Sequence, residues 1–286
     1  ALCSGCSTAP FKITDSFASY YAKNKEEVGS DLKGMASDLA VLSDSEATDP
    51  NYQSNDYADL LINDSTNEVL ESYHCFDRLY PASITKVMTA LLTLEHGNMD
   101  DEITLKHDIN LTENGAVIST LTKGDTVTVG QVFHTMLIKS ANDCAVILAE
   151  YVAGSESKFI DMMNAKAKEL GATHTHFVNP NGLHDNNHYT TAYDLYLIFK
   201  EAVKYDTFVD TVSSKDYTMT YTTPKKTQIN EYMQSTNYYL LNEFPVPEGV
   251  VMYGGKTGTT SMAKSCLILM LSLIHISEPT RHAQIS

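Results

Sequence analysis

The sequence predicts an α+β fold, with helices packed on an antiparallel sheet and a mostly helical lobe beside it. Three observations support this prediction. Short segments with alternating apolar residues lie before position 80 and return after Tyr205, as is typical of half-buried strands. Between about positions 98 and 205, apolar residues instead recur at helical spacing. Because strand runs and helix runs are separate, the pattern favours α+β over an alternating α/β order.

The first predicted strand pair leads directly into a helix. Ala58–Ile62 and Val69–Cys75 are apolar runs joined by the turn residues at 63–67. Pro81 then precedes a segment that is apolar on most faces, as expected of a buried helix. Gly97 is predicted to end this helix as its C-terminal cap.

Further helices and strands follow in two groups. Gly154 and Gly171 are predicted helix stops, and Thr191 is a predicted N-cap. The predicted helices are Gln131–Ile138, Asn142–Val152, Ser157–Leu170 and Thr191–Tyr205. The predicted strands that follow are Tyr217–Tyr221, Tyr238–Leu241, Val250–Tyr253 and Ala263–Met270.

Ser83 and Lys86 lie three residues apart at the start of the first helix, so their side chains leave the same face one turn apart. A serine hydroxyl is a weak nucleophile and must lose its proton as it attacks. The spacing therefore indicates a nucleophile beside its general base.

Lys86 can accept a proton only while its amine is neutral. Burial in the apolar helix lowers the pKa of a lysine, because it disfavours the charged form. A second cation nearby acts in the same direction, and Lys256 is a candidate. Ser83 lies near the helix start, where free N–H groups and the helix dipole favour negative charge.

Two more motifs follow in a fixed order, Ser140–Asn142 (Ser-Ala-Asn) and Lys256–Gly258 (Lys-Thr-Gly). A lone Ser-x-x-Lys motif is weak evidence for a catalytic site, because most such pairs are a helix cap followed by a solvated lysine. The three motifs together resemble the serine D-alanyl-D-alanine carboxypeptidases, which are low-molecular-mass penicillin-binding proteins. The segments Phe177–Leu183 and His188–Leu195 also resemble this family, and the resemblance covers about Ser37 to Met270.

The resemblance implies a β-lactamase/transpeptidase-like fold and a role for each motif residue. Ser83 attacks the carbonyl between two D-alanines of a peptidoglycan stem peptide, and Lys86 takes its proton. Ser140 relays a proton to the leaving amine. Asn142 orients Lys86 and binds the backbone amide of the substrate.

The same resemblance assigns the substrate-binding residues to the third motif. Lys256 and Thr257 bind the terminal carboxylate beside Gly258, and the N–H groups of Ser83 and Thr259 form the oxyanion hole. One such donor typically contributes about 3 kcal/mol of transition-state stabilisation. The implied ligands are stem peptides ending in D-alanyl-D-alanine and β-lactam antibiotics, with no metal or organic cofactor.

The net charge of −16 argues against nucleic acid as a partner and against binding to anionic lipid through a basic patch. Leu2–Ser7 resembles the end of a bacterial lipoprotein signal, with Cys6 as the lipidated residue. A redox pair or metal site at Cys3-x-x-Cys6 is the alternative. We therefore expect an extracytoplasmic protein of the bacterial envelope, with residues 1–56 as an N-terminus and polar tether to the outer face of the cytoplasmic membrane. Residues 57–270 are the predicted catalytic domain.

Residues 271–286 resemble the in-frame translation of a transposase sequencing adapter. We therefore expect the native coding sequence to end near Met270, and the catalytic domain to lack its C-terminal part. Continuous coding through these residues in an intact genome would contradict this expectation.

Two other functions compete with the carboxypeptidase. A class A β-lactamase needs a glutamate after the second motif to activate the deacylating water, and no glutamate lies between Glu169 and Glu201. An inactive wall-binding or antibiotic-sensing lipoprotein is the other alternative. Four histidines have the spacing of metal ligands, but the turn residues at 179–182 interrupt any single element that would align them, which disfavours a metal site. They are His174, His176, His184 and His188.

Overall fold

The computed structural model describes residues 39–40, 57–111, 113, 116–273 and 279–285. The chain divides into two compact units, Ala1–Val41 and Leu42–Ser286. All helices and strands given below belong to the second unit. The expected lipidation site at Cys6 and all of the tether except residues 39–40 lie outside the described residues.

A five-stranded antiparallel sheet has the order β2-β1-β9-β8-β7. Its strands are β1 Ala58–Asn63, β2 Glu68–Tyr73, β7 Val250–Thr260, β8 Lys264–Leu273 and β9 Pro279–Ile285. Alternating side chains on β1 lie on two faces, and Leu60 and Ile62 are buried on one of them. The backbone of β9 pairs with β1 on one side and with β8 on the other, so this strand connects the N-terminal strand pair to the C-terminal strand pair of the sheet.

A second antiparallel sheet has four strands in the order β3-β4-β5-β6. These are β3 Glu102–Thr104, β4 Thr126–Thr128, β5 Asp216–Thr222 and β6 Gln228–Gln234. The strand β6 was missed, because its polar sequence lacks a clear apolar alternation. The strand predicted at Tyr238–Leu241 is wrong: this segment forms turns, in which Asn237 accepts the N–H groups of Leu240 and Leu241.

Six α-helices complete the described fold. They are α1 Lys86–His96, α2 Val129–Ile138, α3 Asn142–Ala153, α4 Glu156–Glu169, α5 Ala192–Ala202 and α6 Asp206–Val212. The predicted caps are confirmed: the Thr191 side chain accepts the N–H of Asp194, and Gly97 follows the last residue of α1. The α+β class with helices on antiparallel sheets is therefore confirmed.

Helix α1 is the centre of the core and contacts α2, α3, α4 and α5. Its residues from Lys86 to Thr93 are all buried, as the apolar pattern predicted. Each fully buried leucine or methionine side chain contributes roughly 1.5–3 kcal/mol to the free energy of unfolding. The buried helix therefore holds the residues at its start in fixed positions. In the part of the chain that the structure describes, every helix is too short or too polar to cross a bilayer.

Candidate active site

The nucleophile candidate Ser83 lies in a single 3₁₀ turn, Ala82–Thr85, that precedes α1. The sequence predicted an α-helical start here. Lys86 follows this turn directly as its C-terminal cap, so the Ser83 and Lys86 side chains remain one turn apart on the same side. Lys86 Nζ lies 2.8 Å from Ser83 Oγ. Ser83 is half-buried, whereas Lys86 is fully buried.

Lys86 Nζ has two other close partners, Asn142 Oδ1 at 2.8 Å and the backbone oxygen of Asn181 at 2.6 Å. Both partners can only accept hydrogen bonds. A neutral amine has two N–H groups and one lone pair. When the two N–H groups are donated to these oxygens, the lone pair is left for the Ser83 hydroxyl. This geometry suits proton transfer from Ser83 to Lys86.

The orientation of the Asn142 side chain follows from its other contact. Asn142 Nδ2 donates to the backbone oxygen of Val117 at 3.0 Å, and the Asn142 N–H donates to the same oxygen at 2.8 Å. Because a carbonyl cannot donate, the amide nitrogen must face Val117 and the amide oxygen must face Lys86. Asn142 thus presents an acceptor to the amine.

The pKa of Lys86 is held well below its usual range, chiefly by burial and secondly by the charge of Lys256. Asp143 and Cys144 act in the opposite direction and are outweighed. The pKa of Lys86 is therefore lowered by the two causes expected from the sequence, apolar surroundings and a second cation.

Lys256 connects the third motif to the second. Its Nζ donates to Ser140 Oγ at 2.9 Å and to the backbone oxygen of Thr257 at 2.7 Å. Burial lowers the pKa of Lys256 to about 7. The Ser140 hydroxyl accepts from this amine, so its own hydrogen is available to another acceptor in the cleft.

The remaining residues of the third motif lie on β7, beside the nucleophile turn. A Cβ atom placed on Gly258 would be 2.9 Å from the Ser83 nitrogen, so only glycine allows β7 to approach this closely. Thr257 Oγ1 lies 2.5 Å from Thr236 Oγ1, and the Thr259 side chain is exposed. The three motifs therefore line one crevice.

Two non-glycine residues of the site have left-handed backbone conformations, Ala82 with φ of 46° and Ser140 with φ of 64°. Such conformations cost roughly 1–3 kcal/mol each and are concentrated at functional sites. Ala82 directs its carbonyl towards Gly182, whose φ is 87°. The strained turn and the 179–183 loop are thus in direct contact.

Replacing Gly182 by alanine is expected to disrupt this contact. A Cβ atom there would be 1.9 Å from the Ala82 oxygen, whereas one at Gly154 would meet nothing within 4 Å. Both glycines have positive φ, 87° and 76°, so Gly154→Ala is a matched control for the conformational cost alone. We expect a loss of unfolding free energy of roughly 1–2 kcal/mol for Gly154→Ala and about 4 kcal/mol or more for Gly182→Ala. Urea denaturation measures both, and equal losses would contradict the prediction.

Sequence reasoning missed three participants in the site. The Asn181 backbone oxygen contacts Lys86, Thr236 pairs with Thr257, and the buried His188 binds Thr85. Asn181 and His188 lie in the two connecting segments already noted for their resemblance, which was the only signal available. A backbone oxygen has no sequence signature, because every residue carries one.

The four histidines considered for a metal site have separate partners. Among the described residues, no group of three or more His, Cys, Asp or Glu side chains is arranged to hold a metal ion. Their side chains contact the Thr173 hydroxyl (His174), the Asn187 backbone oxygen (His176), the Tyr80 ring (His184), and Thr85 and Val178 (His188).

Comparison with known proteins identifies the family. The peptidase family described as D-alanyl-D-alanine carboxypeptidase matches residues 44–272. The chain belongs to this family. It is 35% identical over 212 residues to D-alanyl-D-alanine carboxypeptidase DacF of Bacillus subtilis, a match that covers 73% of this chain and 52% of the relative.

Two other similar proteins are named for different reactions, an endopeptidase and a transpeptidase. The chain is 31% identical over 212 residues to the D-alanyl-D-alanine endopeptidase of Escherichia coli, covering 73% of this chain and 65% of that protein. The solved Streptomyces K15 DD-transpeptidase superposes with a TM-score of 0.73 at 27% identity, covering 82% of this chain and 91% of that one. The chain thus spans about half to two thirds of the length of the two curated relatives. As a D-alanyl-D-alanine carboxypeptidase family member, it has the expected penicillin-binding fold.

Proposed function

We propose that the protein is a serine D-alanyl-D-alanine carboxypeptidase that removes the terminal D-alanine from peptidoglycan stem peptides through an acyl-enzyme. The observation that carries this proposal is the 2.8 Å contact between Lys86 Nζ and Ser83 Oγ, with the other amine contacts made to groups that only accept. Membership of the family supports the choice of substrate.

In the first step, Ser83 Oγ attacks the carbonyl carbon between the two D-alanines while Lys86 takes the hydroxyl proton. The tetrahedral intermediate carries an oxyanion. We assign its stabilisation to the backbone N–H groups of Ser83 and Thr259. Gly258 lies between these residues and allows β7 to approach the nucleophile turn, which supports this assignment.

In the second step, the C–N bond breaks and the leaving nitrogen needs a proton. The proton taken by Lys86 passes to this nitrogen through the Ser140 hydroxyl, and Lys86 becomes neutral again. Lys256 and Thr257 hold the carboxylate of the departing D-alanine. Water then attacks the acyl carbonyl while Lys86 accepts a proton from it. The bond between the carbonyl carbon and Ser83 Oγ breaks, Lys86 returns the proton to Ser83 Oγ, and the shortened peptide leaves.

We also propose that β-lactams acylate Ser83 and leave slowly. The alternative, a class A-like β-lactamase, requires a carboxylate that activates water at the acyl-enzyme. The nearest preceding candidate, Glu169, has a largely exposed side chain and pairs with Lys166 at 2.9 Å. This position disfavours rapid deacylation by Glu169.

The proposal is tested by incubating the whole chain with fluorescent penicillin and locating the label by peptide mass spectrometry. We expect one acyl group on Ser83, slow loss of the label, and release of D-alanine from a pentapeptide. An added amine acceptor distinguishes hydrolysis from transpeptidation. Rapid turnover of penicillin would favour the β-lactamase, and a protein that is neither labelled nor active would favour the inactive lipoprotein.

The location of the protein is also part of this proposal. Its substrate lies outside the cytoplasmic membrane, so we propose an extracytoplasmic protein of the bacterial envelope, with lipid at Cys6 as its anchor. Mass spectrometry of the N-terminal peptide from cell membranes tests the lipidation, and an unmodified Cys6 thiol there would contradict it.

The pH dependence of kcat/KM is expected to be bell-shaped, because the two lysines must be in opposite protonation states. Activity rises with pH as Lys86 loses its proton, since only the neutral amine is a base. It falls as pH rises past about 7, where Lys256 loses the charge that attracts the carboxylate. Measurements between about pH 5 and pH 9 check this profile. Arginine stays charged over this range, so Lys256→Arg should lose the alkaline fall in its residual activity; an unchanged fall would contradict the assignment.

A further inference from the structure

His188 is a buried titratable side chain that the proposed mechanism does not use. Only 2% of its surface is exposed. Its Nδ1 faces the N–H of Val178 at 3.1 Å, and its Nε2 lies 2.8 Å from Thr85 Oγ1. Because a backbone N–H can only donate, Nδ1 must be the acceptor. The ring hydrogen is therefore on Nε2 and is donated to the Thr85 hydroxyl.

The ring stays in this neutral form throughout the working pH range. Burial lowers the pKa of His188 to about 3, and the nearby His176, His184 and Lys86 act in the same direction. Asp185 acts in the opposite direction and is outweighed. The two hydrogen bonds of His188 consequently persist as the pH changes.

These two bonds join the loop at 178–188 to the turn that carries the nucleophile. Val178 is the start of the loop and His188 is its end, so the Val178 contact closes the loop on itself. Thr85 lies between Ser83 and Lys86 in the chain, next to the general base. The loop is also held by Thr89 Oγ1, which donates to the Pro180 oxygen at 2.6 Å.

The loop carries the Asn181 backbone oxygen, which accepts a hydrogen bond from Lys86 Nζ at 2.6 Å. Inside the loop, Asn179 Oδ1 accepts the N–H of Gly182 at 2.7 Å, and Asn181 Oδ1 accepts the N–H of Leu183 at 3.0 Å. These bonds make the loop tip stiff. The position of the Asn181 oxygen relative to Lys86 therefore depends on how the whole loop is attached to the turn.

We infer that His188 is a positioning residue for the general base: it clamps the 178–188 loop to Thr85 and so holds the Asn181 oxygen against Lys86. This inference rests on the proposed acyl-transfer function. A neutral imidazole suits this place because it offers an acceptor and a donor on opposite sides of one flat ring. An aliphatic side chain would leave the Val178 N–H without this acceptor.

The first test replaces Thr85 by valine, which keeps the shape of the side chain and removes the acceptor for His188. Thr93→Val is the matched control, because Thr93 is equally buried, lies in the helix α1 that follows this turn, and donates its hydroxyl to the Thr89 oxygen at 2.7 Å. We expect acylation by fluorescent penicillin to be about 10- to 100-fold slower in Thr85→Val. Thr93→Val should acylate at the rate of the unaltered protein.

The second test separates positioning from folding. His188→Asn and His188→Gln each retain an amide that can replace part of the imidazole contacts, so both are compared with His188→Ala. We expect the two amide variants to acylate faster than the alanine variant. The acylation rate is then measured against pH. Because the Asn181 oxygen favours the charged amine, losing this contact should move the acidic limb of the profile to lower pH while the plateau falls. A loss of folded protein alone would lower the plateau without moving the limb.

The outcomes distinguish this inference from the function on which it rests. If the unaltered protein is not acylated at all, the proposed function is wrong. If the unaltered protein is acylated and Thr85→Val matches Thr93→Val in rate and pH profile, the positioning role of His188 is overturned. A slower rate together with a displaced acidic limb in the Thr85 and His188 variants supports it.

Discussion

Replacing Ser83 by alanine is expected to abolish covalent labelling by penicillin and to lower D-alanine release by about 10⁴-fold or more. In the proposed mechanism Ser83 supplies the atom that becomes bonded to the acyl group, so no neighbouring residue is expected to replace it. The Ser83 hydroxyl is only one of three partners of Lys86 Nζ, and the contacts to Asn142 and Asn181 remain in the variant. The fold should therefore be retained.

Ser157→Ala is the control for this substitution, because Ser157 is an exposed residue of α4. It should label and hydrolyse like the unaltered protein. Gel fluorescence and D-alanine release measure both variants, and thermal unfolding checks that Ser83→Ala is folded. Covalent labelling of folded Ser83→Ala would show that another residue is the nucleophile.

Replacing Lys86 by methionine is expected to slow acylation by about 10²- to 10⁴-fold, the usual contribution of a general base. Methionine has a similar volume and fills the same buried space, so the loss is mainly that of the amine. The rise of the acylation rate with pH, which we assign to loss of the Lys86 proton, should disappear as well. Acylation rates measured across the pH range check both effects.

Lys166→Met is the matched control, because Lys166 is a mostly buried lysine in a different environment. Burial alone would lower its pKa, but hydrogen bonds to Glu95 and Glu169 raise it above the usual lysine range. Lys166 is therefore a permanent cation that pairs with carboxylates, whereas Lys86 has a lowered pKa and is the proposed base. Its removal should cost stability without changing acylation. Equal losses of acylation in the two variants would contradict a specific role for Lys86.

The pair of Ser83 and Lys86 shows how much of the site can be predicted from sequence. Ser83 and Lys86 are three residues apart, and a helical turn brings such residues together whatever the rest of the chain does. The apolar residues around Lys86 also predicted its burial and the direction of its pKa. Local spacing and composition were sufficient for both conclusions.

The sheets were harder to predict than the helices. The N-cap at Thr191 and the stop at Gly97 depend on bonds between residues close in sequence, and both are confirmed. The polar strand β6 was missed and a strand at Tyr238–Leu241 was wrongly predicted, since strand formation depends on a partner elsewhere in the chain. The proposal that residues 271–286 are not native stays a prediction; the family match ends at residue 272.

The sequence by itself determined which residues meet in the crevice and the chemistry proposed for them, through three motifs whose order and residue types predict a nucleophile, a base and a cationic carboxylate site. Only the tertiary structure decided how the Lys86 amine, the proposed base, is oriented towards Ser83. The Asn181 oxygen, the orientation of the Asn142 amide and the hydrogen-bonding form of His188 all depend on contacts between segments distant in the chain. Side-chain patterns carry no information about such contacts, because a backbone oxygen is the same in every residue and an amide or imidazole takes its direction from the groups that surround it.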